Sequence, residues 1–263
     1  MSAVFLDRIR IWKETQAASR HIAAQVPPTV KVWWSETKEC IASYSDPAIL
    51  RVLDADCLDV VRALPEGRRP VVLNLSDDYA AGGAVELGSG AQEESLWRRT
   101  ALCVTQKQEL YPLCASPEPV QDPSLLYSPD VPVLRDTEAR GYAWFPVDMH
   151  MRVSFIACPA IKHPNLVYLE GGEKDLKETD KLTLAHRLRL ILRVAAMKGH
   201  DTVIVGPMGC GAWKNPPKAV ARVFATVLRE SEFTGAFREI IVAALTTNPR
   251  IQNAEVFSRE LGV

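Results

Sequence analysis

Four short apolar runs constrain the fold more than any other feature of this chain. They are Pro70-Val-Val-Leu-Asn-Leu75, Val153-Ser-Phe-Ile-Ala-Cys158, Thr202-Val-Ile-Val205 and Ile240-Ile-Val-Ala-Ala-Leu245. Each has strand length and is too continuously apolar to show one face to water, so each reads as a strand buried on both faces. Helical patterns lie between them. Leu184, Leu188, Ile191, Leu192 and Ala195 fall on one helix face, Arg189 and Arg193 fall on the opposite one, and Lys198-Gly199 reads as the stop. Val220, Val223, Phe224, Val227 and Leu228 form a second face, with Asn215 as the expected N-cap and Pro216 in the first turn. An amphipathic start over Phe5–Ala24 stops before Pro27-Pro28, and a short helix is expected over Cys57–Leu64.

Buried strands alternating with helices predict an α/β fold whose central sheet is covered on both sides. With 263 residues, no repeat and no low-complexity tract, the chain reads as one domain, residues 1–50 forming a helical extension packed on it. The stretch from Cys114 to Tyr142 is rich in Pro, Ser and Asp. It is expected to be an irregular excursion, either an ordered functional loop or a mobile insert.

Charge and cysteines narrow the function classes. Thirty-one Lys and Arg against 32 Asp and Glu leave a net charge of -1, which supplies no broad basic grip on nucleic acid. No apolar run has membrane-spanning length, and the start MSAVFLDRIRIW lacks the apolar core of a signal peptide. An intracellular protein, cytoplasmic or nuclear, is expected. Cys40, Cys57, Cys103, Cys114, Cys158 and Cys210 include no CxxC pair, so they read as reduced thiols with neither a disulfide frame nor a zinc site. The histidines His21, His150, His163, His186 and His200 show no paired-ligand spacing and read as surface or core-edge residues. Neither a metal nor a cofactor is expected. Arg98-Arg99 reads as a solvated helix face, and Trp33-Trp34 as packing.

Two glycine-rich loops follow predicted strands, where open α/β sheets bind ligands. The first runs from Asn74 through Asp77, Asp78, Gly82, Gly83, Ala84, Gly88 and Gly90 to Gln92, Glu93 and Glu94. Its glycines let backbone approach a ligand closely, and it delivers two adjacent carboxylates into a helix start. Adjacent helical side chains do not face each other, so Glu93 and Glu94 are expected to do different jobs, one orienting a substrate hydroxyl and one moving a proton. Acids at a helix N-terminus also occur simply because the macrodipole favours them. The second loop is Val205-Gly206-Pro-Met-Gly209-Cys210-Gly211-Ala-Trp213-Lys-Asn215-Pro216. It is neither a Walker A loop nor a dinucleotide fingerprint, and its backbone N–H groups suit a phosphate or diphosphate. Cys210 lacks the flanking His and Arg of a phosphatase nucleophile and reads as inert filler. Tight strand-to-helix glycines are the bland alternative here.

Gly82-Gly83-Ala84, a seven-residue spacer and Gln92-Glu93-Glu94 together resemble the catalytic loop of poly(ADP-ribose) glycohydrolases, three glycines followed after a short spacer by QEE. The continuation Ser95-Leu-Trp-Arg-Arg-Thr-Ala-Leu102 and the run Gly209-Cys-Gly-Ala-Trp213 are similar to the microbial branch of that family, whose diphosphate loop reads GCGAF. The resemblance implies a macrodomain-like three-layer α/β/α fold with a mixed central sheet. It implies hydrolysis of the ribose–ribose O-glycosidic bonds of poly(ADP-ribose), with Glu94 as general acid and then base. Gln92 and Glu93 are implied to position the terminal ribose, Gly82 and Gly83 to pass close to diphosphate and ribose, and Gly206 and Gly209 to Ala212, through Cys210 and Gly211, to cradle the diphosphate. Trp213 is implied to stand against the ribose, and Asp56 to accept a hydrogen bond from the adenine amino group. A carboxyl in a partly dry pocket has its pKa raised and holds a proton near neutrality, as this chemistry requires.

The chain departs from the family where Ala84 replaces the third glycine and Ala80-Ala81 replaces Asn-Pro. The added methyl is expected to narrow the channel beside the scissile bond, and Asp77 and Asp78 are expected either to substitute for a ribose contact or to repel phosphate. The alternatives are therefore a mono-ADP-ribosyl hydrolase acting on modified side chains and an ADP-ribose reader without turnover. The partner implied is ADP-ribose, or its polymer on modified proteins, and a monomer is expected.

Overall fold

A computed structural model describes residues 3–114, 122–246 and 252–263. In chain order its main elements are α1 (Ala3–His21), β1 (Val30–Trp33), β2 (Ile49–Leu53), α2 (Cys57–Arg62), β3 (Pro70–Asn74), α3 (Gln92–Arg99), β4 (Ser124–Pro132), β5 (Arg152–Ala157), β6 (Leu166–Tyr168), β7 (Lys174–Leu176), α4 (Glu178–Met197), β8 (Thr202–Val205), α5 (Pro217–Leu228), β9 (Glu239–Ala243) and α6 (Asn253–Leu261). The described residues group into two compact units, one drawn from 1–32, 74–115 and 124–159, the other from 33–73, 116–123 and 160–263.

In the second unit β3, β8, β9 and β2 pair in that order, all parallel, with Val71 opposite Val203, Ile204 opposite Ile241 and Val52 opposite Val242. Every residue of β8 and β9 is buried, as their unbroken apolar runs require. Helices α4 and α5 bury the faces read from their periodicity, including Leu188, Ile191, Val220 and Phe224. On the outer side of α4, Arg189 and Arg193 make bidentate pairs with Glu230 and Glu232.

In the first unit β4 pairs antiparallel with β5, Tyr127 opposite Ile156, and β1 lies beside β4. Parallel and antiparallel pairings together make the mixed α/β fold expected. The surprise is β4 itself. The stretch expected to be an irregular excursion contains a nine-residue strand. Buried Ser124 and Ser128 hide its pattern, and a register shift between Ser128 and Val131, with Asp130 at φ 48°, breaks its alternation. Residues 115–121 of that stretch lie outside the described residues.

Helix spans Ala3–His21, with 3-10 turns at Ala23–Gln25 and Trp34–Glu36; the second half of residues 1–50 is otherwise irregular chain apart from β1 and the first two residues of β2, so the expected helical extension covers only its first half. Helix α1 buries Ile11, Trp12, Thr15 and Ser19, and it supports α3 directly. The Trp12 ring meets Trp97 at 5.8 Å between centroids, and Thr15 Oγ1 donates to the Arg98 carbonyl at 2.7 Å. Burying two large side chains, Ile11 and Trp12, contributes on the order of 3–6 kcal/mol, enough to hold the helix that bears the two glutamates.

Candidate active site

Helix α3 begins at Gln92, so Gln92, Glu93 and Glu94 form its first turn, where the helix dipole favours acids. All three side chains are held in the same way, each by one backbone N–H. Leu75 N–H donates to Gln92 Oε1 at 2.8 Å, Asp77 N–H to Glu93 Oε2 at 2.6 Å, and Ala84 N–H to Glu94 Oε1 at 3.0 Å. The strand end after β3 and the glycine turn therefore grip the helix start from two stretches of one loop. Glu93 and Glu94 are 3% and 7% exposed, and the second oxygen of each, Glu93 Oε1 and Glu94 Oε2, has no partner among the described residues. Ser76 Oγ, Trp97 Nε1 and Tyr111 OH are buried and unpartnered in the same way. Each such group costs roughly 1–3 kcal/mol in the unliganded protein. Those beside the first turn of α3 are candidates to pair with a polar ligand.

Gly83 explains why the turn is glycine. It sits at φ +57°, and a Cβ there would stand 2.7 Å from Glu94 Oε1 and 2.9 Å from Glu93 Oε2. Both carboxylates thus flank one point of the loop, which modifies the expectation that adjacent helical residues point apart: each side chain bends to its own N–H. Gly82, in contrast, is required by Trp97, whose ring carbons lie 2.6 Å from where its Cβ would be. Ala84 has φ -101°, which a side chain tolerates, and it contributes its N–H, which alanine supplies as well as glycine does.

Burial is the main cause that pushes the Glu93 carboxyl well above the ordinary range; the charges of Glu94 and Asp77 add to it, and the Asp77 N–H and the neighbouring Asn74 side chain oppose it. The Asp77 carboxylate serves its own loop, its Oδ1 accepting from Tyr79 N–H at 2.7 Å and Ala80 N–H at 2.9 Å. The departure at Ala80-Ala81 has a structural counterpart. Ala81 N–H donates to Gln108 Oε1 at 3.0 Å, a bond that proline could not make, and Gln108 Nε2 donates to the Tyr79 carbonyl at 2.7 Å.

Arg98 and Arg99 are 0% and 1% exposed, so the expected solvated face is wrong. Helix α3 is enclosed on nearly every side, and Arg98 is used internally: Nε donates to Tyr142 OH at 2.9 Å and Nη1 to the Ser89 carbonyl at 2.6 Å.

In the second unit, β8 leads into the 206–213 loop. Gly209 has φ +73°, and its Cβ would collide with the Asn215 amide and stand 3.1 Å from Ala160. The expected N-cap Asn215 does other work. Its Nδ2 donates to the carbonyls of Ile161 and Gly209, while α5 starts one residue later than expected, with Pro216 at the cap. Gly211 and Ala212 are exposed, and nothing lies within 4 Å of a Cβ built on Gly211. Gly206 is buried at the start of the loop. The N–H of Cys210 is taken by the Pro207 carbonyl at 3.1 Å, and burial pushes its thiol well up, in keeping with inert filler. The Trp213 ring meets His163 edge-on at 5.6 Å and carries the Lys162 ammonium at 4.7 Å. Asp56 is the N-cap of α2, its Oδ1 accepting from Leu58 and Asp59 N–H.

Trp97, Gln108, Tyr111 and Lys162 were not among the residues expected from the sequence. The polar end of β3, Asn74 after three apolar residues, was the available signal for the first unit's site. Elsewhere in the second unit a cavity of about 440 Å³ is bordered by Cys40, Tyr44, Arg193 and His200 and includes none of the expected residues. Among the described residues no three His, Cys, Asp or Glu gather as a metal site, and no helix is long and apolar enough to cross a membrane.

Comparisons with known proteins point to one family. The model of the microbial-type PARG catalytic domain matches residues 7–136, a span that contains α1, the glycine turn and all three residues of the α3 first turn. The poly(ADP-ribose) glycohydrolase of Thermomonospora curvata superposes with a TM-score of 0.79 at 25% identity, covering 96% of this chain and 98% of that one. The T267K mutant of the Deinococcus radiodurans enzyme, solved in complex with ADP-ribose, superposes with a TM-score of 0.67 at 28% identity, covering 81% and 84%. The T267R mutant gives 0.69 at 26%, covering 94% and 91%. No curated protein matches the chain. These likenesses carry the macrodomain-like fold. Over residues 7–136, just under half of its length, the chain is similar to the microbial-type PARG catalytic domain, and over nearly all of its length it shares the fold of solved poly(ADP-ribose) glycohydrolases.

Proposed function

We propose that this protein hydrolyses the ribose–ribose O-glycosidic bonds of poly(ADP-ribose) and releases ADP-ribose. The observation that carries the reading is the pair of buried carboxylates, each fixed at one oxygen by a backbone N–H and open at the other. A reader of ADP-ribose needs no such pair. In this reading Glu94 protonates the leaving ribose oxygen as the bond to the anomeric carbon breaks. Oxocarbenium character builds on that carbon. Water then adds its oxygen there and returns a proton to the Glu94 carboxylate. Glu93 and Gln92 orient the terminal ribose, and Gly83, having no side chain, lets both carboxylates stand against the loop backbone. The 206–213 loop takes the diphosphate through Gly209, Gly211 and Ala212, Trp213 supplies an apolar face to the ribose, and Asp56 receives the adenine amino group.

The shared helix start also makes the fixed geometry worth having. Hydrogen bonds from backbone cost no side-chain ordering when substrate arrives, so the carboxylates are pre-oriented for the reacting bond. The test is incubation of the protein with labelled poly(ADP-ribose) and, separately, with mono-ADP-ribosylated protein. Free ADP-ribose from the polymer is expected. Release only from the mono-modified protein would move the assignment to a mono-ADP-ribosyl hydrolase, and binding without release from either would make the protein a reader.

A further inference from the structure

We infer that the phenolic hydroxyl of Tyr111 is a further ligand-binding group of this site, sharing one ribose hydroxyl with the open oxygen of Glu93. The inference rests on the glycohydrolase reading above. Tyr111 is 8% exposed, and its ring packs with Leu113, Leu126 and Ala157, against Ala81 and Leu110. Phenylalanine would fill that space equally well. The hydroxyl, however, is buried without a hydrogen-bond partner among the described residues. Keeping it there is unfavourable for the unliganded protein.

Its surroundings say what it faces. The segment that carries Tyr111 is fastened to the loop that holds Glu93: Leu113 N–H donates to the Asp78 carbonyl at 2.7 Å, and Gln108 brackets Tyr79 and Ala81. The Asp77 N–H of that same loop anchors Glu93. Burial, and then the charges of Glu93 and Asp77, push the Tyr111 phenol upward, so it remains a neutral donor throughout the working pH range. Tyr111 OH and Glu93 Oε1 do not bond each other, since both are unpartnered. One sugar hydroxyl that donates to Glu93 Oε1 and accepts from Tyr111 OH satisfies both at once.

The test is calorimetric titration of wild type and Tyr111→Phe with ADP-ribose and with ADP, which lacks the terminal ribose, together with the melting temperature of each unliganded protein. The expected result is about tenfold weaker binding of ADP-ribose by the variant, with unchanged binding of ADP. The unliganded variant melts at the same temperature as wild type or above it, because the change removes an unpaired buried hydroxyl and nothing else. Unchanged ADP-ribose affinity overturns the inference and means that a water serves the hydroxyl. Equal weakening for ADP also overturns it, because the contact is then not to the terminal ribose. Failure of wild type itself to bind ADP-ribose refutes the glycohydrolase reading, and this inference falls with it.

Discussion

Gly83→Ala is the perturbation that separates the geometry of the carboxylates from the stability of the fold. The new Cβ would lie 2.7 Å from Glu94 Oε1 and 2.9 Å from Glu93 Oε2, both far closer than carbon and oxygen approach without contact strain. These atoms are the hydrogen-bonded tips of flexible side chains, so the clash is relieved by moving the carboxylates rather than the core. Moving them loosens the bonds from Ala84 and Asp77 N–H, at 3.0 and 2.6 Å, that set the positions of the proposed catalytic pair. A shift of about 1 Å in a reacting group costs on the order of 100-fold in rate, or about 2.7 kcal/mol of barrier. The backbone strain of alanine at φ +57° adds about 1–2 kcal/mol to the folded state, which lowers the melting temperature by roughly 2–8 °C. The assay is steady-state release of ADP-ribose from polymer, run beside a thermal melt. We expect turnover to fall about 100-fold at a temperature where the variant is fully folded. Turnover within a factor of three of wild type would refute the argument that the loop backbone positions these groups.

Ala84→Gly, which restores the family's third glycine, keeps the N–H to Glu94 and is expected to change turnover on polymer by less than about threefold; a large gain would mean that the methyl obstructs the site. Glu93→Gln tests the raised carboxyl. In wild type the folded state holds the Glu93 proton more tightly than the unfolded chain does, so stability is lost as pH rises from the ordinary carboxylate range through the raised value. The variant removes this term. Its stability relative to wild type should therefore increase from acid to neutral pH in denaturant titrations, and a constant difference would contradict the assigned cause. Cys210, buried with its thiol pushed up, should react with iodoacetamide far more slowly than free cysteine at pH 8; rapid labelling that blocks turnover would reopen a nucleophilic role. Turnover should be unchanged by EDTA, and loss of activity on chelation would contradict the carboxylate mechanism.

The parts of this protein that were legible in its sequence are those where side-chain chemistry repeats at a structural period. The runs at 70–75, 202–205 and 240–245 became β3, β8 and β9 because an unbroken apolar run has no other use in a fold of this size. The faces of α4 and α5 were read for the same reason. Strand β4 was hidden because Ser124 and Ser128 are buried in it and the bulge near Asp130 breaks the alternation. The start of α5 moved by one residue because the Asn215 amide is engaged by Ile161 and Gly209, which are remote or irregular in sequence. In the site, Glu93 and Glu94 were legible as a motif, but their anchoring was not. The N–H groups of Leu75, Asp77 and Ala84 carry no residue identity, so no pattern marks them. The same reason makes Ala84 an acceptable replacement for glycine. Arg98 and Arg99 misled because charge at the end of a helix reads as exposure, whereas α1 and Tyr142 cover this one.

Glu94 is the proton donor on which the proposed hydrolysis depends, and Glu94→Gln measures this most directly. The amide keeps an oxygen for the Ala84 N–H and fills the same space, so the fold and ADP-ribose affinity should be retained. Turnover of polymer should fall by about 100- to 10,000-fold, the range expected when a general acid is removed. A variant that still binds ADP-ribose and still releases it from polymer at near the wild-type rate would contradict the mechanism.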